Sequence, residues 1–277
     1  MTDLRISNGV AVITGAASGI GSGLTRLAQG LGMALVLADQ KERALEAFAA
    51  SLDGDPLLVP CDVREPAALE RLADATYARH DAVDLLFNNA GVMHAGHAWD
   101  MTPEIWRHSF AVNVDGVVNG IRAFAPRLIA TKRAARIINT ASIARMLPSG
   151  MIAAYTATKF AVVGLTECVA AELAMLESPV TMALLAPGPV VSSILDQPAD
   201  AKAAPYRDRL QELQDKYGIS ADDLAARAFE GILRGDYWLI PQPETLFPGL
   251  EAREAALRTR ATPPLPVGQP KEDYTSQ

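Results

Sequence analysis

Two hydrophobic periods take turns along the first eighty residues. Unbroken apolar runs at 10–13 and 34–38 alternate with stretches at 24–31 and 41–52, where apolar residues recur every three or four positions. The runs predict buried strands and the spaced stretches predict amphipathic helices. The alternation continues with a strand at 57–60 and a helix at 66–79 that opens on Pro66, where a missing N–H costs nothing. A strand at 83–87 follows, then a mainly helical stretch at 103–129 and a strand at 136–140. A very apolar helix at 152–175, a strand at 180–186, a helix at 222–234 and a last strand at 237–240 complete the pattern.

Strict alternation of strand and helix implies βαβ units and a parallel sheet covered on both faces. The prediction is an α/β fold: a Rossmann-type, doubly wound parallel sheet of about seven strands, with helices on both faces. One domain is expected over residues 1–260. The connection at 192–220 is long enough to act as a lid. The polar, Pro-rich stretch at 261–277 is expected to be a flexible tail.

Composition narrows the function. The chain has 277 residues and a formal net charge of −7, with no block of Lys and Arg. That argues against nucleic acid or an anionic membrane as a partner. No apolar stretch is long enough for a signal peptide or a membrane span. Cys61 and Cys168 are the two cysteines, and both are expected to be buried free thiols, as suits a cytoplasmic protein.

The chemistry starts at TGAASGIG, residues 14–21, between the first strand and the first helix. Gly15, Gly19 and Gly21 allow a tight turn and a close backbone approach, so that N–H groups at a helix start meet a pyrophosphate. Ser18 and Ile20 belong to the same loop. Asp39 closes the second strand, eighteen residues after Gly21. A carboxylate there accepts from ribose hydroxyls and repels a 2′-phosphate. It also suits the N-terminus of the next helix. No Arg follows at once, so NAD is preferred to NADP, although Lys41 and Arg43 lie close by.

Tyr155 and Lys159, in YTATK, stand four residues apart inside the apolar helix. That spacing puts a phenol and an amine on one face. A free phenol is a poor base at neutral pH, and a neighbouring cation favours its phenolate.

Taken together, these motifs resemble the short-chain dehydrogenases/reductases. The resemblance rests on TGxxxGxG, then Asn88-Asn89-Ala90-Gly91 after the fourth strand, Asn113 in NVDG, and Ser142 past the fifth strand. Tyr155 and Lys159 follow Ser142 by thirteen and seventeen residues, and Pro187-Gly188 follows the sixth strand. It covers roughly residues 8–240. It implies Tyr155 as general acid/base, Lys159 as its partner and holder of the nicotinamide ribose, Ser142 as orienter of the substrate oxygen, and Asn113 as holder of a relay water. It further implies cofactor contacts from Asp62, Val63, Asn89, Ala90, Gly91, Pro187, Gly188, Val190 and Ser192. Asp62 reads equally well as a helix cap, and 88–91 as a plain turn.

The segments 93–99, 143–152 and 192–220 should surround the reacting carbon. Met93, His94, Ile143, Met151 and Pro189 are the candidate substrate-pocket residues, with Trp99, Met146, Leu147 and Ile152 near them. Their soft, apolar character suits a bulky hydrophobic secondary alcohol, including aromatic or terpenoid ones. Arg145 either meets substrate or points to solvent. His94 and His97 lack a third ligand in sequence, so no metal is expected. Helices at 103–129 and 152–175 carry more than one apolar stripe, which suggests cover by another copy. The resemblance implies a homotetramer or homodimer. An NADPH-dependent carbonyl reductase and a non-catalytic dinucleotide sensor remain the rival readings.

Overall fold

Strand β1, Val10–Thr14, is buried along its whole length, as a central parallel strand must be. The computed structural model describes residues 4–145, 147–196 and 202–262, and for Arg145 the backbone alone. Met146 and most of the expected tail therefore lie outside the described residues. Around β1 stand β2 (Ala34–Asp39), β3 (Leu57–Pro60), β4 (Leu85–Asn88), β5 (Ala135–Thr140), β6 (Val180–Leu185) and β7 (Trp238–Leu239). Among the described residues they form one seven-stranded sheet in the order β3-β2-β1-β4-β5-β6-β7. All neighbouring pairs are parallel, with Val12 opposite both Val36 and Leu86.

The period of two sorts the core. Val10 and Val12 face one layer with Leu69, Leu72, Phe124 and Leu128. These come from α3 (Pro66–Arg79) and α5 (Gly116–Thr131). Ala11 and Ile13 face the opposite layer with Leu24, Leu224, Phe229 and Ile232. These come from α1 (Gly19–Gly30) and α8 (Ala221–Arg234). Each fully buried Leu or Phe contributes about 1.5–3 kcal/mol. The doubly wound fold thus follows from apolar residues on both faces of every central strand.

Two buried charges close the end of the sheet away from the glycine loop. Asp84 accepts from Val10 N at 2.8 Å and lies 3.5 Å from Arg5 Nε. Arg136 donates to the carbonyls of Ile232, Gly235 and Asp236, where α8 ends. Burial pulls its pKa below the ordinary arginine value.

Several expectations need correction. The helical stretch at 103–129 is two helices, α4 (Pro103–Phe110) and α5, joined by a π-helical turn at Ala111–Asp115. The connection at 192–220, read as long enough for a lid, contains a 3₁₀ turn (Ser193–Leu195) and helix α7, Ala204–Tyr217, among its described residues. A further helix, α9 (Pro243–Thr259), follows β7. Cys61 is buried, but Cys168 is exposed, on the outward side of α6 (Ala153–Met175). The remaining helix, α2, spans Glu42–Ala49.

Candidate active site

Strand order reverses at β1 and β4, and the cleft opens at their C-terminal ends, where doubly wound folds place ligands. Gly15 and Gly19 sit at φ +64° and +51°, the left-handed region that glycine enters without strain. A Cβ on Gly15 would lie 2.9 Å from Ala90 Cα, and one on Gly21 would lie 2.1 Å from Gly15 O. Side chains would therefore fill this cradle. A Cβ on Gly19 would stand 3.3 Å from Ser192 Cβ, so the glycine loop and the start of the long connection face each other. Ser18 precedes α1 in extended conformation, and its hydroxyl makes no capping bond.

Asn89 stitches three strand ends together. Its N–H and side-chain amide donate to Thr14 Oγ1 and O at 2.9 and 3.0 Å, and its Oδ1 accepts from Thr140 Oγ1 at 3.3 Å. Asn89, Ala90 and Gly91 line the cleft. Asn88 turns the other way. It is buried and donates to Asn139 Oδ1, which belongs to an internal polar chain running on to Thr166.

Asp39 stands at one end of the cleft beside Gln40 and Lys41. Its Oδ2 accepts from Ala17 N at 3.2 Å and its Oδ1 from Lys41 N at 3.0 Å. It closes a turn rather than capping α2, whose N-cap is Lys41. Asp62 is clasped by Arg64, which holds its carboxyl below the ordinary carboxylate value. The N-cap of α3 is Glu65, so Asp62 does not cap that helix. Its neighbours Cys61 and Val63 line the cleft instead. Burial pushes the Cys61 thiol up to about 11.

Tyr155 and Lys159 stand at the other end of the cleft, 8% and 3% exposed. The Lys159 ammonium donates to Thr140 O at 2.8 Å and lies 5.5 Å from the centre of the Tyr155 ring. Burial pulls the Lys159 pKa down to about 8. Burial also raises the Tyr155 phenol, and a hydrogen bond with Ser142 acts in the opposite direction. The net direction is upward, against the depression that the Tyr155–Lys159 spacing alone suggests. Ser142 Oγ also accepts from Ala144 N at 3.1 Å, which fixes the hydroxyl beside Tyr155.

Asn113 lies in the π-helical turn and is fully buried. Its Nδ2 donates to Val92 O and Thr158 Oγ1, and its Oδ1 accepts from Val92 N. Both side-chain donors are therefore engaged by the protein itself. The single wide turn re-aims one side chain without ending the helix, a common use of π-bulges near functional sites.

The sequence profile described as short chain dehydrogenase matches residues 9–203. This chain belongs to the short-chain dehydrogenases. An uncharacterized oxidoreductase of Listeria innocua is similar, 31% identical over 228 residues, 80% of this chain and 90% of that protein. A meso-2,3-butanediol dehydrogenase of Serratia marcescens is 37% identical over 168 residues, 60% of this chain and 66% of that one. A solved short chain dehydrogenase/reductase of Burkholderia phymatum, in complex with NAD, superposes with TM-score 0.88 at 33% identity, covering 95% of this chain and 99% of its own. The present protein is thus a dehydrogenase/reductase acting on CH–OH groups.

In this dehydrogenase an apolar cluster forms around Tyr155. Ala144, Met151, Ile152, Ala203 and Tyr206 are its buried members, with Met93, Ile194 and Leu210 packed against them. Helix α7 thus reaches the site through Tyr206, whose hydroxyl pairs with Ser149 Oγ at 2.5 Å. Tyr206 and Ile194 carried no signal in sequence, because their surroundings read as a polar connection. His94 faces α4: its Nδ1 lies 3.4 Å from Ser109 Oγ, and its ring meets His108 edge-on. Burial and then His108 lower its pKa. Trp99 is 79% exposed and stacks on His97.

The Pro187–Ser192 segment divides its roles. Pro187 and Ser192 line the cleft, and Pro187 O accepts from Ile143 N at 3.0 Å. The Val190 side chain is buried in the core on the α1 and α8 side. Gly188 N and Pro189 O are bonded to Gln242, a residue with no signal in sequence.

Proposed function

We propose that this protein is an NAD-dependent dehydrogenase that interconverts a bulky, apolar secondary alcohol and its ketone. One observation carries the reading: a single cleft joins the Asp39 carboxylate, a glycine cradle and the buried Tyr155–Lys159 pair. The cradle suits a pyrophosphate, because Cβ atoms on Gly15 and Gly21 would fill it. Asp39 suits ribose hydroxyls and disfavours a 2′-phosphate. The relative solved with NAD is in keeping with this choice.

When bound, the dinucleotide supplies the hydride acceptor or donor. The chain's own residues handle the proton and the orientation. Ser142 donates to the substrate oxygen and holds it beside Tyr155. Tyr155 takes the alcohol proton in oxidation and returns it in reduction. Its phenol is raised by burial, so the phenolate needs positive charge nearby, and Lys159 one turn on supplies it. Gly91 leaves room there: a Cβ would lie 3.3 Å from Asn113 Oδ1 and 3.6 Å from Lys159 Nζ. Met93, Met151, Ile152 and Tyr206 give the substrate an apolar surface. Ile143 and Pro189 act through their backbone, and His94 borders the site from the α4 side. Two or four copies assemble through α4, α5 and α6, which light scattering would test.

The test is turnover of secondary alcohols of increasing bulk with NAD or NADP, followed by absorbance, beside Tyr155→Phe. Turnover with NAD should fall by about 10²–10⁴-fold in that variant. Turnover confined to NADP would favour a carbonyl reductase in which Lys41, at the cleft rim, meets the extra phosphate. Cofactor binding with no turnover of any alcohol would favour a sensor.

A further inference from the structure

Gln242 sits between β7 and α9, far in sequence from the cleft, and is 1% exposed. Its Oε1 accepts from Gly188 N at 3.0 Å, and its Nε2 donates to Pro189 O at 2.9 Å. The side-chain amide thus pairs with the chain as a neighbouring strand would. The segment it grips has few other handles. Pro187 and Pro189 carry no N–H, so Gly188 offers the one backbone donor across three residues. The same short stretch faces the cleft at Pro187 and Ser192, beside Tyr155 and Lys159. On its other side, Ile143 N holds Pro187 O and Ile219 N holds Pro189 O. Space is tight as well: a Cβ on Gly188 would lie 2.8 Å from Thr245 Oγ1 and 2.9 Å from Gln242 Oε1.

We propose that Gln242 is a positioning residue for the nicotinamide end of the cofactor, setting the Pro187–Pro189 backbone against Tyr155. The proposal rests on the dinucleotide reading above. It requires a group with both an acceptor and a donor. Gln242→Met leaves Gly188 N without its Gln242 acceptor and Pro189 O with Ile219 N alone. Gln242→Glu keeps the acceptor and, when ionised, sets an oxygen against the Pro189 carbonyl.

ADP-ribose and NADH distinguish this role from general support, because ADP-ribose lacks the nicotinamide. Their dissociation constants are measured for wild type and both variants, with kcat, KM and melting temperature. The expected result is ADP-ribose affinity within about twofold of wild type and NADH affinity about tenfold weaker, the worth of one lost buried partner. The value of kcat should fall as well. Equal weakening of both ligands, or no change in either, would overturn the positioning role while leaving the cofactor reading intact. Wild-type protein that binds neither ligand would overturn both. If Gln242→Met does not fold, Gln242→Glu decides by the same readings; if neither folds, Gln242 is a structural residue and the proposal falls.

Discussion

Asn113 reaches the backbone of Tyr155 through one hydroxyl: its Nδ2 donates to Thr158 Oγ1 at 3.0 Å, and that oxygen donates to Tyr155 O at 2.7 Å. The same carboxamide brackets Val92 N and O at 2.8 and 2.9 Å. One side chain thus ties the π-helical turn, the loop after β4 and the first turn of α6.

Asn113→Ala should therefore destabilise strongly. It orphans the Val92 N–H and C=O, at about 1–3 kcal/mol for each buried group left unpaired. A loss of at least about 2 kcal/mol is expected, or about 4–8 °C in melting temperature. Thr158→Val should cost less, since Val92 keeps both partners. Urea titration of the two variants checks the order, and an Asn113→Ala protein as stable as wild type would refute the brace.

Lys159→Met should make the protein more stable and inactive at pH 7. The folded-state pKa of Lys159 is about 8, against an ordinary 10.5. Burial disfavours the ammonium, so the unfolded chain binds the proton more tightly. Below about pH 8 the folded protein bears that cost in full. Between the two values stability rises with pH, and above 10.5 the cost is gone. The cost is on the order of 3 kcal/mol, at 1.36 kcal/mol per pKa unit. The orphaned Thr140 carbonyl offsets about 1 kcal/mol or more of the gain. Melting curves should show an advantage for the variant at pH 7 that shrinks toward pH 10. A variant less stable at every pH would count against an uncompensated buried ammonium.

Asp39→Ser should shift cofactor preference toward NADP. The carboxylate repels a 2′-phosphate, and unit charges about 4 Å apart interact by about 4 kcal/mol at an effective dielectric of 20. Even a fraction of that should raise the NADP-to-NAD ratio of kcat/KM by at least about tenfold. Serine keeps a short acceptor for Lys41 N, so the turn should hold. An unchanged ratio would mean that discrimination lies elsewhere, with Lys41 the first place to look.

Strands β1, β2 and β4 were legible because both faces of the sheet are covered, and their runs are mostly apolar. The Tyr155–Lys159 pair was legible because a helix fixes its spacing. What escaped has definite causes. Helix α7 is strongly polar and buries Tyr206 and Gln214 from its face, too few positions to show a period. Helix α9 contains Pro248 and Gly249, which punctuate any pattern read along it. Gln242 escaped because a buried side-chain amide serving as a strand partner leaves no trace in spacing. The run Asn88–Gly91 does not show by itself that strand alternation sends Asn88 inward, to Asn139, and Asn89 outward to the cleft.

Two helical glycines should respond to the same substitution with opposite signs. A Cβ on Gly120 would lie 2.1 Å from Asn88 Oδ1 and 2.8 Å from its Cγ. Asn88 is held by Asn139 and cannot swing aside without breaking that polar chain. Gly120→Ala should cost about 1–3 kcal/mol through overpacking. Gly164, exposed on α6, has nothing within 4 Å of its Cβ position. There alanine should gain up to about 1 kcal/mol from helix propensity alone. The pair separates steric conflict from propensity, since the residues exchanged are identical. Urea denaturation of both variants supplies the two signs. A Gly164→Ala protein that loses stability instead, increasingly so at higher protein concentration, would mean that a second copy covers this face of α6.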